Sequence, residues 1–246
     1  MGETKVIFLD IDGTLIGDDY SPEPARNIIM WLKDNGFEIV FNSSKTWAEQ
    51  EYYRKALNIR SPFIVENGSA IYVPEDYFPF EISAPRRKSY YVLEFGERYH
   101  KIKSILEGIS EEFGLKYYGN STIKEIMSFT GLPKKLAMLA MIREYSETVF
   151  QWNNEGFISV LELNDLRVSK GSRFFNIHGR VDKGKAALVL ISLYQKIGRV
   201  RTYAVGDAPN DFPLLDVVDN PYLVGHLTHP RAKNINSIEE LREVVL

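Results

Sequence analysis

Apolar runs alternate with amphipathic segments over the first 70 residues of the chain. The run "VIFL" at 6–9 is continuously apolar, as in a strand covered on both faces of a sheet. "FEIVF" at 37–41 and "PFIV" at 62–65 have the same character. Between these runs, "SPEPARNIIMWLKDNG" and "TWAEQEYYRKAL" place apolar residues at helical spacing, with Ser21 as the expected N-cap of the first helix. Strands separated by helices of this length predict a parallel sheet with right-handed crossovers.

The pattern changes between about residue 84 and about residue 175. "SYYVLEF" predicts a strand, "RYHKIKSILEGISEEFG" a helix, "PKKLAMLAMIREYSETVF" a longer helix, and "FISVLEL" and "RFFNIHG" two strands, with "APRRK" as a linker. Helices and strands then alternate again in "KGKAALVLISLYQKIG", "RTYAVG", "DFPLLDVV", "YLVG" and "SIEELREVV". We therefore expect an α/β protein with a Rossmann-like parallel-sheet core, 1–83 and 176–246, and an inserted α+β cap domain, 84–175.

The composition narrows the possible functions. The chain has 246 residues, a net charge of -3 and no cysteine. This charge argues against the basic face of a nucleic-acid-binding protein, and no apolar run approaches the ~18 residues of a membrane span. The absence of cysteine excludes disulfides and thiolate metal sites. We expect a cytoplasmic protein that binds neither nucleic acid nor a membrane, of unknown oligomeric state.

Polar residues follow the predicted core strands, whose carboxyl ends form the ligand-binding edge of a parallel α/β sheet. The residues at this edge are Asp10, Asp12, Ser43, Asp207, Asn210 and Asp211. Lys183, at the start of the helix that follows the inserted segment, is placed to reach the same edge. Carboxylates grouped without histidine or cysteine favour a hard cation such as Mg²⁺. A hydroxyl, an ammonium group and Mg²⁺ together suit the oxygens of a phosphate.

Each of these residues also has a purely structural interpretation. A solvated turn would explain Asp10 and Asp12 if they stood alone, and a turn hydroxyl would explain Ser43. Lys183 would be an ordinary lysine of a first helical turn, and Asp207 and Asp211 would be helix N-caps. The functional interpretation is favoured because all these groups fall in register at strand ends.

The separated motifs and their order resemble the haloacid dehalogenase superfamily of phosphotransferases. The motifs are "DIDGT" at 10–14, Ser43 after the second strand, Lys183 in "DKGK" and "GDAPND" at 206–211. The resemblance implies that Asp10 is the nucleophile and Asp12 the general acid and base. It further implies phosphate binding by Ser43, Lys183 and Asn210, Mg²⁺ binding by Asp10, Asp207 and the backbone carbonyl of Asp12, and support of the metal loop by Asp211.

The inserted segment resembles the cap of the sugar-phosphate phosphatases in this superfamily. "FNSSKT" and "LRVSKGSRFFNIHG" are similar to the mannosyl-3-phosphoglycerate phosphatase family, which implies a small phosphorylated sugar-acid substrate. Because such a substrate carries a carboxylate beside its phosphate, it needs a second anion site. "SKGSR" supplies Ser169, Lys170, Gly171 and Arg173, where glycine permits an anion-binding nest and arginine grips a carboxylate. A hairpin turn with solvated charges is the structural alternative.

Three functions stay open at this point. The resemblance implies a Mg²⁺-dependent phosphatase that hydrolyses mannosyl-3-phosphoglycerate to mannosylglycerate and phosphate through an aspartyl-phosphate intermediate. Another sugar-phosphate phosphatase, or a phosphomutase of the same superfamily, would use the same core residues. A non-catalytic protein that senses a phosphorylated ligand is the third possibility, although binding alone does not require an acid beside the nucleophile.

Overall fold

The computed structural model describes residues 2–171 and 173–245. Its strands are β1 (Thr4–Leu9), β2 (Phe37–Phe41), β3 (Phe63–Val65), β4 (Ala70–Pro74), β5 (Arg86–Arg87), β6 (Tyr90–Glu94), β7 (Lys116–Tyr117), β8 (Ser146–Gln151), β9 (Arg167–Lys170), β10 (Phe175–His178), β11 (Val200–Gly206), β12 (Asn220–Val224) and β13 (Lys233–Ile235). Its α-helices are α1 (Arg26–Asp34), α2 (Trp47–Ala56), α3 (Tyr99–Phe113), α4 (Ile123–Thr130), α5 (Lys134–Ala140), α6 (Gly156–Leu163), α7 (Lys183–Gln195), α8 (Phe212–Val217) and α9 (Leu241–Val244).

A five-stranded parallel sheet of order β13-β12-β11-β1-β2 forms the core, which confirms the predicted α/β class. Strand β1 is continuously apolar and buried from Val6 to Leu9, because helices cover both faces of this sheet. On one face Phe8 lies in a buried cluster with Leu190 of α7, and on the other Leu9 shares a cluster with Ile28 of α1. The carboxyl ends of β1 and β11 therefore lie side by side at one edge.

Capping residues decide where the core helices begin. Asp182 caps α7, because its Oδ1 accepts a hydrogen bond from the backbone N–H of Lys185 at 2.8 Å. This cap starts the helix at Lys183, at the edge where β1 ends. The predicted start of α1 at Ser21 is wrong, since residue 22 lies in a bend, residues 23–25 form a turn and the helix begins at Arg26. None of the described helices is long and apolar enough to cross a membrane.

Strands β3 to β6 form an antiparallel sheet of order β3-β4-β6-β5. We expected β3 to extend the parallel core, but it pairs with β4 and contacts the core sheet through one parallel bridge, between Asn42 and Ile64. The expected linker "APRRK" contains β5, which pairs with β6. Because β4 also pairs with β6, the expected boundary between residues 83 and 84 crosses this sheet. The division into a core, 1–83 and 176–246, and a cap, 84–175, stays a prediction.

The third sheet, of order β7-β8-β10-β9, packs against α3 and α6 around a buried cluster of its own. Two predictions fail in this region. "FISVLEL" forms α6 instead of a strand, because Phe157 and Leu161 lie one helical turn apart and both enter the cluster. The expected long helix over "PKKLAMLAMIREYSETVF" ends at Ala140, and "SETVFQ" forms β8, whose Val149 is buried between β7 and β10.

Candidate active site

The carboxyl ends of β1 and β11 bring three aspartates together. Asp10 follows β1, and Asp207 and Asp211 follow its neighbour β11; carboxylate oxygens of the three lie within 4.8 Å of one another. Burial, reinforced by the charges of Asp10 and Asp211, raises the pKa of Asp207 to about 7. A cluster of oxygen ligands without nitrogen or sulfur fits a hard divalent cation, whose charge would offset the repulsion between the acids.

Lys183 is the cation that the structure itself supplies to this cluster. Its side chain is fully buried, and its Nζ lies 2.8 Å from Asp10 Oδ1 and 2.5 Å from Asp211 Oδ1. Although burial by itself lowers the pKa of Lys183, the two carboxylates raise it above its usual value. The ammonium group therefore stays charged and holds the Asp10 carboxylate in place at the end of β1.

Asp211 organises the loop that follows β11. Its Oδ2 accepts hydrogen bonds from the backbone N–H groups of Asp207 at 3.0 Å and Ala208 at 3.1 Å, while its Oδ1 faces Lys183. The side chain is thus not the simple cap of α8 considered above. Because both Asp211 oxygens are engaged, Asp10 and Asp207 are the carboxylates left to face a cation. Thr14 steadies Asp207 by donating a hydrogen bond to its Oδ1 at 3.1 Å.

Asp12 is turned toward Lys45, a residue after the second strand to which the sequence analysis gave no role. Lys45 Nζ lies 2.9 Å from Asp12 Oδ2 and 3.4 Å from Glu49 Oε1. Although 44% of the Asp12 side chain is exposed, its Oδ1 is enclosed and has no hydrogen-bond partner among the described residues. Burial therefore raises the pKa of Asp12, against the lowering effect of Lys45. The signal for Glu49 was present in the sequence, because "TWAE" at 46–49 has the spacing of a helical capping box.

Ser43 and Asn210, the other expected phosphate ligands, differ in their access to the cleft that the aspartates line. Ser43 is 1% exposed, and its Oγ accepts a hydrogen bond from the Lys45 N–H at 3.4 Å; Ser44 lines the cleft instead. Asn210 does line the cleft, and its Nδ2 donates to Asn67 Oδ1 at 3.1 Å.

A cleft of about 370 Å³ joins these residues to the third sheet. Beyond Asp10 and Asp12 its lining includes Arg143, Thr148 from β8 and Asn176 from β10. The Thr148 hydroxyl donates to Asn176 Oδ1 at 3.0 Å. The cleft therefore has carboxylates at the end of the core sheet, and both arginines and neutral hydrogen-bonding groups on the side of the third sheet, which suits a phosphorylated molecule with hydroxyl groups.

The structure divides "SKGSR" between two cavities. Gly171 and Arg173 line the cleft with the aspartates, whereas Ser169 and Lys170 of β9 line a second cavity of about 240 Å³. Gly171 does not have the positive φ with which a glycine would contribute to the expected nest, and the nest stays a prediction. The Gly171 N–H instead donates to the carbonyl of Phe174 at 3.0 Å and closes the hairpin turn between β9 and β10.

Arg173 is exposed and bonded across the mouth of the cleft. Its Nη2 donates to the hydroxyl of Tyr20 at 2.9 Å and to the carbonyl of Thr130 at 2.8 Å. Tyr20 belongs to the loop that follows Asp10 and Asp12, so Arg173 joins the end of the third sheet to the loop of the core. Ser169 is engaged elsewhere, since its Oγ lies 3.1 Å from His178 Nε2.

Comparisons with known proteins agree with this geometry. A family model for haloacid dehalogenase-like hydrolases matches residues 7–238. The chain is 53% identical to a mannosyl-3-phosphoglycerate phosphatase of Pyrococcus horikoshii over 98% of this chain and 99% of the relative, and 55% identical to that of Pyrococcus furiosus over 96% and 98%. A solved haloacid dehalogenase-like hydrolase of B. subtilis shares the fold, with a TM-score of 0.70 over 98% of this chain and 99% of the other at 16% identity. The chain therefore belongs to the mannosyl-3-phosphoglycerate phosphatase family of the haloacid dehalogenase-like hydrolases.

Proposed function

We propose that this protein is a Mg²⁺-dependent phosphatase that hydrolyses mannosyl-3-phosphoglycerate to mannosylglycerate and phosphate. The observation that carries the proposal is that Asp10, Asp12 and Asp207 line one cleft in a chain 53% and 55% identical to two phosphatases named for this substrate. The substrate is thus a small phosphorylated molecule that enters the cleft. A cytoplasmic location remains our prediction from the cysteine-free composition.

The reaction uses Asp10 and Asp12 in two steps. In the first, a carboxylate oxygen of Asp10 attacks phosphorus, the bond from phosphorus to the glycerate oxygen breaks, and Asp12 gives that oxygen a proton. In the second, Asp12 takes a proton from water, the water oxygen attacks phosphorus, and the bond to Asp10 breaks. The raised pKa of Asp12 supports this role, because the first step needs a protonated carboxyl.

Asp10, Asp207 and the backbone carbonyl of Asp12 would hold Mg²⁺, which when bound neutralises charge on the phosphoryl oxygens. Support comes from Asp211, whose two oxygens are already engaged by Lys183 and by backbone N–H groups, so that it shapes the loop. Lys183, Asn210 and Ser43 are the proposed phosphate ligands. Of these, Asn210 already lines the cleft, and Lys183 carries a fixed positive charge beside Asp10.

The far end of the cleft would bind the rest of the substrate. Arg173 is the proposed partner of the glycerate carboxylate, because it lines the cleft and its guanidinium is exposed. Thr148 and Asn176 offer hydrogen bonds that suit sugar hydroxyls. We do not extend the proposal to Ser169 and Lys170, which line the second cavity.

Phosphate release from mannosyl-3-phosphoglycerate, measured with Mg²⁺ and then with EDTA, tests the proposal. Release should stop with EDTA and should be abolished in Asp10→Asn, whereas Asp34→Asn, at an exposed position of α1, should behave like the wild type. Activity that survives chelation or Asp10→Asn would refute the proposal. Transfer of phosphate between positions of a sugar bisphosphate without net release would instead indicate a phosphomutase.

Arg173→Ala should reduce the preference for mannosyl-3-phosphoglycerate over plain hexose phosphates. An unchanged preference would exclude Arg173 as the carboxylate ligand.

A further inference from the structure

We propose that Lys45 is a positioning residue that holds the Asp12 carboxyl in the orientation needed to protonate the leaving oxygen. This inference rests on the proposed function and gives a role to Lys45, which lies within "FNSSKT" but was assigned none by the sequence motifs or the family resemblance. It starts from an unusual feature of the cleft, a lysine side chain that is only 5% exposed and lies between the acid and the first turn of α2.

Lys45 is the single polar partner of the Asp12 carboxylate among the described residues. Its Nζ contacts Asp12 Oδ2 at 2.9 Å, while Asp12 Oδ1 has no hydrogen-bond partner. Asp12 therefore has one anchor. Without Lys45, no hydrogen bond or ion pair among the described residues would select one rotamer of the Asp12 carboxyl, whose side chain is 44% exposed.

Lys45 is itself fixed by α2. Glu49 Oε1 lies 3.4 Å from Lys45 Nζ, and Glu49 Oε2 accepts hydrogen bonds from the backbone N–H and the hydroxyl of Thr46, each at 3.0 Å. The bond from the Thr46 N–H, together with the reciprocal bond from the Glu49 N–H to the Thr46 hydroxyl at 3.2 Å, forms the capping box that begins the helix. The Lys45 ammonium also lies 5.8 Å and 5.7 Å from the ring centres of Tyr20 and Tyr53, within the range of cation–π attraction. Lys45 thus fixes the position of the Asp12 carboxyl relative to the N-terminus of α2.

This anchor matters because proton transfer depends on geometry. A general acid must come within about 2.6–3.2 Å of the oxygen that it protonates. Displacement of a catalytic group by about 1 Å can cost on the order of 100-fold in rate. Loss of the Lys45 contact should therefore lower the rate of phosphate transfer strongly when the leaving oxygen needs a proton, and much less when it does not.

Two substrates separate these cases. The alcohol that leaves mannosyl-3-phosphoglycerate needs a proton from Asp12, whereas the nitrophenolate of p-nitrophenyl phosphate leaves as a stabilised anion. The measured quantity is kcat/KM, which for both substrates reports steps up to the transfer of phosphate to Asp10 and excludes the later hydrolysis. In Lys45→Met the ratio of kcat/KM for the sugar substrate to that for the aryl substrate should fall about 10- to 100-fold.

Three further variants sharpen the comparison. Lys45→Arg keeps a cation and should restore part of the ratio. Glu49→Gln keeps a capping group but removes the charge that holds Lys45, so the ratio should fall less than in Lys45→Met. Lys55→Met is the matched control, because Lys55 also pairs with a glutamate four residues away, at 3.7 Å, but is 80% exposed on α2. Its ratio should equal that of the wild type.

Equal losses of kcat/KM on both substrates in Lys45→Met would overturn the proposal, since that result describes a phosphate ligand or a general structural defect. An unchanged ratio would overturn it as well. If Lys45→Met does not fold, the kcat/KM ratio of Glu49→Gln provides the test instead. An unchanged ratio in Glu49→Gln would then refute the positioning role of Lys45. Failure of the wild type to release phosphate from either substrate would instead contradict the proposed function.

Discussion

Glu66 directly follows β3, has no exposed surface, and connects this part of the chain to the segment that enters β8. Its Oε1 accepts a hydrogen bond from the backbone N–H of Glu144 at 3.0 Å. Its Oε2 accepts from the N–H of Tyr145 at 3.0 Å and from the Ser146 hydroxyl at 2.7 Å. Arg143 Nε lies 4.0 Å away and supplies a nearby positive charge.

Glu66→Ala should therefore be strongly destabilising. The substitution leaves two buried N–H groups and one hydroxyl without their acceptor, at about 1–3 kcal/mol for each group that finds no other partner. It also removes a carboxylate that faces the buried Arg143 guanidinium at 4.0 Å, and removing one member of a buried ion pair costs about 3–5 kcal/mol. Because these losses share the same contacts they do not add, and we expect the free energy of unfolding to fall by about 3–5 kcal/mol.

Urea unfolding followed by tryptophan fluorescence measures this loss. Glu75→Ala is the control, because Glu75 pairs with Arg86 at the surface, where an ion pair is worth at most about 1 kcal/mol. A loss below about 1 kcal/mol in Glu66→Ala would refute the reasoning. It would mean that water or a shift of the loop replaces the contacts of Glu66.

Three other perturbations test separate parts of the structure. Gly13 has a φ of 75°, and an added Cβ would overlap the Asp207 carboxylate. Gly13→Ala should therefore lower the free energy of unfolding by about 1–2 kcal/mol and should also lower kcat/KM. An unchanged kcat/KM would contradict this prediction. Lys183→Met should cost about 3–5 kcal/mol in urea unfolding without metal, because Asp10 and Asp211 lose their cation. Added Mg²⁺ should raise the Tm of this variant more than that of the wild type, and equal shifts would argue against a cation site at these carboxylates. Hydrogen bonds from the backbone and hydroxyl of Thr122, together with Lys116, lower the pKa of Glu125 from 4.5 to about 2. The stabilisation by its charge is thus complete above pH 4.5 and is lost as the pH falls toward 2, so the Tm difference between wild type and Glu125→Gln should shrink over that range; a constant difference would contradict the assignment.

Much of the core could be predicted because its signals are local. The apolar run at 6–9 and the acids after β1 and β11 are readable within a few residues. A parallel sheet then brings the carboxyl ends of neighbouring strands to one edge, so Asp10 and Asp207 had to approach each other. Their roles in catalysis and metal binding nevertheless stay proposals until the variants are assayed.

Segments whose secondary structure depends on tertiary contacts were predicted incorrectly from the sequence. "FISVLEL" is rich in β-forming residues, yet it is helical because Phe157 and Leu161 fill a space beside α3 and β10. "SETVFQ" follows a helical stretch without a strong break, yet it is a strand because β7 and β10 offer hydrogen bonds on both sides. Propensity is a weak guide where tertiary packing supplies the larger free energy.

The sequence by itself determined the α/β class, the family and the acids at the strand ends, because these follow from short-range periodicity and from motifs in a constant order. Only the tertiary structure decided which groups face each other across long stretches of chain. It brought Arg173 to Tyr20, separated Gly171 from Ser169 and Lys170, and placed Lys45 against Asp12. These contacts join residues that are distant in sequence or on different elements, and their distances depend on how the sheets and helices pack.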